Sequence, residues 1–342
     1  PRAGGPKDAF HSSAGSAIEA AMQTEILSLA DPEAERRAEA LLRDGDLVAL
    51  PTETVYGLAA DSGSGAAVAK IFEAKGRPRF NPLICHVDGI AMAERIAVFD
   101  DLAHHLAKRF WPGPLTLVLP AAADTPVHPL AMAGLATVAV RMPQGVAARL
   151  AGRLGRPIVA PSANPSGRVT GTSAEAVARG LSGRIPLILD GGPSLVGVES
   201  TIVRPQDGRL VLLRAGGISR AELSAATGLA VDDPEDGAKI AAPGALASHY
   251  APEGRLRLDA SAIEPGEFVI AFGTDRPDGL ENAAAIVNLS PRGDLREAAA
   301  NLFAALSAFD SARVERIAVA PIPRSGLGEA INDRLKRAAA PR

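Results

Sequence analysis

DLVALPTETVYGLAAD, residues 46–61, opens with a short apolar run and passes directly into hydroxyls, a carboxylate and a glycine. The run at 46–50 predicts a buried strand. Thr52, Glu53, Thr54 and Gly57 then fall where strand ends hold ligands in α/β folds, the glycine permitting close backbone approach. Taken alone, the same residues also fit a plain strand-to-helix turn with a threonine cap. Upstream, Ala34, Ala38, Leu41 and Leu42 recur at helical spacing over 32–43, ended by Asp44-Gly45.

Downstream, short apolar runs bounded by Gly and Pro predict strands at 115–119, 137–141, 158–160, 185–189, 201–204 and 210–214. Helical patterns fall between several of them, at 66–74, 100–110 and 173–180. The mixture predicts an α/β sheet domain over 22–218. Residues 219–252, with the acidic run DDPEDG and then AAPGALASHYAP, read as a linker. A second alternation follows over 253–342: strands at 268–272, 284–289 and 316–320, with helices at 295–309 and 327–338. Residues 1–21 carry little periodicity and are expected to form a leader or disordered extension outside the fold.

With 342 residues, the chain exceeds one ordinary core, which agrees with two domains. Hydrophobic residues at 47% against 22% charged ones give a globular balance rather than a disordered one. Cys85 is the single cysteine, which rules out an internal disulfide or a multi-cysteine zinc site and points to a reducing compartment. Leu130 to Val140 is the longest apolar stretch, well short of a membrane span, and Glu19 interrupts any signal-peptide core. A cytoplasmic location without membrane contact is expected. Net charge is −3, yet residues 66–220 hold 18 Lys and Arg against 10 Asp and Glu. That local surplus suits an anionic ligand such as a nucleotide triphosphate or RNA, or equally an arginine-rich solvated surface.

Two further clusters could carry chemistry. KGRPRFNPLICHV, residues 75–87, sets Lys75, Arg77 and Arg79 in five positions and then Asn81 and His86. Arginine forks match phosphate oxygens, and Pro78 and Pro82 favour a fixed loop over a solvated helix. His86, between apolar neighbours, reads by itself as a hydrogen-bonded core histidine. VAPSANPSGRVTGT, residues 159–172, offers Ser162, Asn164, Ser166, Gly167, Thr170 and Thr172 as small donors and acceptors, as a polyphosphate loop needs or as an ordinary turn does. Ser200 and Thr201 pair hydroxyls in GVESTIV, and Arg141 and Arg214 end strands. There is no GxxxxGK[ST] loop, GxSxG elbow or HExxH helix, and no GxGxxG follows a strand in the right context.

In this order and spacing the clusters resemble the threonylcarbamoyl-AMP synthase family. The matching segments are PTETVYGLAAD, Lys75-Gly-Arg77 with NPL, WPGPLTLVL, TVAVRMP, Ser162-Ala-Asn164, VESTIV and LRAGGI, then PGALASHYAP and SGLGEAINDRLKRAA. The resemblance implies a YrdC-like twisted mixed sheet with flanking helices and a large basic concave face, joined to a small Rossmann-like C-terminal α/β domain. A linker over the active site is also implied. The positions before His249 and Tyr250 depart from the common family pattern.

The same resemblance implies formation of threonylcarbamoyl-AMP and pyrophosphate from L-threonine, bicarbonate and ATP, with Mg²⁺ accompanying ATP. By residue-wise carry-over, Lys75 and Arg77 stabilise charge on the leaving phosphates. Thr54, His86, Arg141, Ser162 and Ser200 surround threonine, with Arg141 facing its carboxylate. Arg77, Asn81, Thr137, Asn164, Thr172, Arg214 and Tyr250 surround ATP. No metal ligand is identifiable. A tRNA threonylcarbamoyl-transferase complex is the implied downstream partner, with weak tRNA binding as a further expectation. A pure RNA-binding module is the competing class, disfavoured by only 4% aromatic residues, none clustered on a strand for base stacking. A hydrogenase-maturation carbamoyl transferase shares the YrdC-like part, but its zinc finger needs more than one cysteine.

Overall fold

The computed structural model describes residues 22–235 and 249–341. The expected leader at 1–21 and residues 236–248 of the expected linker over the active site lie outside the described residues. The chain runs β1 (Glu25–Ser28), α1 (Ala34–Arg43), β2 (Val48–Leu50), β3 (Gly57–Asp61), α2 (Gly65–Lys75), β4 (Ile84–His86), α3 (Ile90–Glu94), α4 (Asp101–Phe110) and β5 (Leu115–Pro120). It continues through β6 (Thr137–Arg141), α5 (Val146–Leu154), β7 (Ile158–Val159), α6 (Ala174–Leu181), β8 (Leu187–Asp190), β9 (Thr201–Gln206), β10 (Arg209–Arg214), α7 (Arg220–Thr227) and β11 (Val231–Asp232). These strands form one mixed sheet in the order β1-β8-β2-β3-β7-β4-β6-β5-β9-β10-β11.

Gly57–Asp61 does not lead into a helix directly but returns as β3, antiparallel to β2, with Leu50 opposite Gly57 and Val48 opposite Ala59. Glycine and alanine have weak strand preference, and burial on both faces decides the outcome, since every residue of β3 is buried. PTETVY therefore forms the connection between paired strands and hangs at their end. A Cβ on Gly57 would lie 3.1 Å from Ala160 Cβ, so this close approach needs the glycine.

The segment read as linker begins with ordered structure. Ser219 and Glu222 form a reciprocal capping box that starts α7, and β11 then pairs with β10. The Ser-x-x-Glu spacing was the available signal. Helix α5 also follows an apolar spacing, with Val146, Ala147, Leu150, Ala151 and Leu154 buried.

The second domain holds β12 (Arg255–Arg257), β13 (Phe268–Ala271), β14 (Ala285–Asn288), α8 (Leu295–Ser311), β15 (Arg316–Val319) and α9 (Leu327–Ala339). Its strands are parallel throughout, in the order β12-β15-β13-β14. Asp294 starts α8 by accepting from the Arg296 and Glu297 amides. The two domains share apolar core: Val55, Val198 and Tyr250 pack with Leu302, Phe303 and Leu306. Gly197, with φ +75°, brings its loop against α8 so closely that a Cβ would lie 2.3 Å from Ala299 O. Among the described residues no helix is long and apolar enough to cross a membrane.

Candidate active site

Helix α2 delivers the first cations. Ser64 caps its start by accepting from Ala67 N, and Gly76 ends it in the left-handed region at φ 61°. The Arg77 amide then bonds back to Phe72 O. Lys75 thus closes the last turn while Arg77 lies on the departing chain. Lys75 Nζ donates to Ser162 O at 2.6 Å and also to Asn164 O, and Ser166 N donates to Lys75 O. Lys75 therefore holds the 162–166 loop from beneath. Burial, then Arg77, depresses its pKa well below the usual lysine range.

Arg77 itself reaches a small cavity of about 50 Å³, a volume that holds a few waters. Its Nε and Nη2 donate to Asn81 O at 3.3 Å and Pro82 O at 2.9 Å. Two more guanidiniums line the same cavity, Arg141 at the end of β6 and Arg214 at the end of β10. Arg141 is held by Glu53 at 2.7 Å, Thr54 Oγ1 at 3.0 Å and Gly113 O at 3.1 Å. Arg214 donates to Ser200 O and Oγ, and Ser200 Oγ also pairs with Thr116 Oγ1 at 2.8 Å. Burial first, then the neighbouring Arg214, lowers the Arg77 pKa to about 10, so it stays protonated at neutral pH.

Thr54, His86, Ser162 and Ser200 line this cavity too, as do His249 and Tyr250. His86 is buried, and burial, followed by Arg141, holds its pKa well below the usual histidine range. Its ring is therefore neutral, with Nδ1 unpartnered within the protein. Tyr250 adopts φ 65°, a rare conformation for a bulky residue, and stands 5.3 Å from the Phe303 ring.

Asn81, Asn164 and Thr172 are buried near the cavity's loops without lining it. The Asn81 and Asn164 Oδ1 atoms lack protein partners. Thr137 lies at the opposite end of β6 from Arg141, four residues or roughly 13 Å away.

Glu199 lies inside the VESTIV segment, but the sequence reading gave it no role. It is the single acid lining the cavity among the described residues, bonded to Arg334 Nε at 2.9 Å and to Thr170 Oγ1 at 3.2 Å. Burial raises its pKa, and Arg334 and then Arg214 outweigh that, leaving the carboxyl at about 2. Because this lies below the ordinary 4.5, Glu199 contributes stability above that pH and loses it as pH falls towards about 2. Glu199→Gln should flatten the fall of the thermal midpoint across that acid window. Parallel curves for the variant and the unaltered protein would contradict the pairing.

The sequence family described as "Telomere recombination", of Sua5, YciO and YrdC proteins, matches residues 40–216. The family described as "Threonylcarbamoyl-AMP synthase, C-terminal domain" matches residues 218–340. The chain belongs to the threonylcarbamoyl-AMP synthase family. The Bacillus subtilis threonylcarbamoyl-AMP synthase is 42% identical over 332 residues, covering 92% of this chain and 95% of that protein. The Pyrococcus abyssi enzyme of the same name is 41% identical, covering 89% of this chain and 93% of that protein. The crystal structure of P. abyssi Sua5 complexed with L-threonine superposes with a TM-score of 0.80 at 37% identity, covering 92% of this chain and 97% of that one. Both domains of the family are thus present in one chain, in the order that the motifs imply.

Proposed function

We propose that the cavity lined by Arg77, Arg141 and Arg214 binds L-threonine and ATP together and makes threonylcarbamoyl-AMP and pyrophosphate with bicarbonate. The observation that carries this is the convergence of three buried guanidiniums with hydroxyls and a neutral imidazole in one site. Fixed cations favour the charge that develops as pyrophosphate leaves, without reorganisation at the moment of reaction.

Threonine would sit among Thr54, His86, Arg141, Ser162 and Ser200, its carboxylate towards Arg141. Its amino group must lose a proton, which a neutral pocket wall such as His86 does not oppose; the free amine then bonds to bicarbonate carbon as one C–O bond breaks, and the displaced hydroxide takes the amine's second proton and leaves as water. The carbamate oxygen then attacks the α-phosphate, the bond to the β-phosphate bridge breaks, and Arg77 and Arg214 meet the departing charge. Asn81, Asn164 and Thr172 support the nucleotide side. Thr137 could meet only the part of the nucleotide farthest from the reaction. No covalent nucleophile is needed, so positioning supplies much of the rate.

Among the described residues no cluster of three or more acidic, His or Cys side chains could hold a metal ion. Glu199, the acid at the cavity, is committed to Arg334. Mg²⁺ accompanying ATP would neutralise phosphate charge, with Arg77 and Arg214 as the protein's share of phosphate binding. His249 and Tyr250 line the cavity beside Arg77 and Arg214, which supports a role for this segment on the nucleotide side. A tRNA threonylcarbamoyl-transferase complex would consume the labile adenylate.

Mass spectrometry after incubation with ATP, bicarbonate and single amino acids tests the assignment. Threonine should yield its carbamoyl adenylate. Serine should react measurably, whereas 2-aminobutyrate should fall by about a hundredfold, because an unpaired buried hydroxyl partner costs more than a lost methyl. Equal activation of 2-aminobutyrate and threonine would show that the pocket does not read the hydroxyl.

A further inference from the structure

Arg334 is the largest fully buried side chain of the second domain, and its position on α9 gives it three simultaneous contacts. Nε meets Glu199 at 2.9 Å across the domain boundary, Nη1 meets Asp333 at 2.8 Å, and its guanidinium carbon lies 5.5 Å from the Tyr250 ring centre. It does not itself line the cavity. Glu199, which does, shares the cavity with Arg77 and Arg214.

A bare carboxylate beside those cations would oppose a triphosphate and would also draw the arginines towards itself. With Arg334 bound to it, its charge is answered from behind, and the cations keep their field for a ligand. The second domain, on this geometry, offsets the one carboxylate of a site that three guanidiniums of the first domain line.

We propose that Arg334 is a positioning residue that neutralises Glu199 from the second domain and so adapts the cavity to ATP rather than to threonine. This rests on the assignment of the cavity to ATP. Nucleotide titration of the unaltered protein checks that assignment separately, since failure to bind ATP would remove it before any variant is compared.

The test uses the full chain and pyrophosphate release to obtain KM for ATP and for threonine. Arg334→Met should raise the ATP KM about tenfold, with the threonine KM moving less than about threefold. Adding Glu199→Gln to Arg334→Met should bring the ATP KM back to within about threefold of the unaltered value, because the opposing charge is then gone. Arg334→Lys, which keeps the charge, should stay nearer the unaltered protein. A pair that merely glues the domains together would raise both constants alike or lower the thermal midpoint without selective recovery in the double variant, and either result overturns the proposal. Should Arg334→Met fail to fold, Glu199→Gln alone decides: it should lower the ATP KM with the threonine KM unchanged, and a rise or no change in the ATP KM overturns the idea.

Discussion

Arg77→Ala should slow adenylate formation by about a hundredfold or more in single-turnover measurements, with threonine binding largely kept. Loss of one fixed, charge-assisted contact in a closed site commonly costs ~3 kcal/mol of transition-state stabilisation. The geometry supports a value at or above this, because the same guanidinium also ties down the Asn81 and Pro82 carbonyls. Removing it shifts the loop carrying Asn81 as well as the charge. Arg77→Lys separates the two contributions, retaining a cation but not the planar fork, and should recover part of the rate. Threonine binding by calorimetry is the control, since Arg141 is anchored independently of Arg77 through Glu53 and Gly113 and itself donates to Thr54 Oγ1. Near-normal turnover in Arg77→Ala would remove this residue from the reaction.

Lys75→Met should do two things at once. From the motif alone, Lys75 is expected to act as a mobile charge whose loss leaves the fold intact. The structure adds a second role, because its ammonium satisfies the carbonyls of Ser162 and Asn164 from below. Methionine keeps the volume and leaves both acceptors without that donor, at a cost of about 2–4 kcal/mol. A fall of roughly 5–10 °C in thermal midpoint is expected for a domain of this size. Adenylate formation should collapse with it, as Ser162 and the 162–166 loop lose their support. A variant that keeps its melting temperature but loses all turnover would return Lys75 to the reacting phosphates. One that keeps both would deny it either role.

These two variants also mark how far the sequence could be read. Lys75-Gly-Arg77 was legible because glycine and proline punctuate it, and a helix end is a local event. Thr137–Arg141 emerged with the observed bounds, since its β-branched alternation sits between Gly and Pro. Gly57–Asp61 did not, because alanine and glycine carry no strand signal and only burial between β2 and β7 makes them one. The β1 strand is a four-residue, largely exposed edge with nothing to set it apart. The Glu199 to Arg334 contact spans 135 positions, and no local pattern could announce it. Even so, Arg334 stands three positions from buried Ile331 and four from buried Ala338, so a charge on the apolar face of α9 was a visible oddity.

Gly197 lying backbone to backbone against α8 has a bearing on how the protein can be handled at the bench. A shortened chain ending at residue 235 would not simply be the first half of the enzyme. Val55, Val196 and Val198, now covered by the second domain, would meet water next to the hairpin end that carries Thr54. Such a fragment would be a colloidal problem first and a catalyst second, prone to self-association through an oily patch at its own reaction centre.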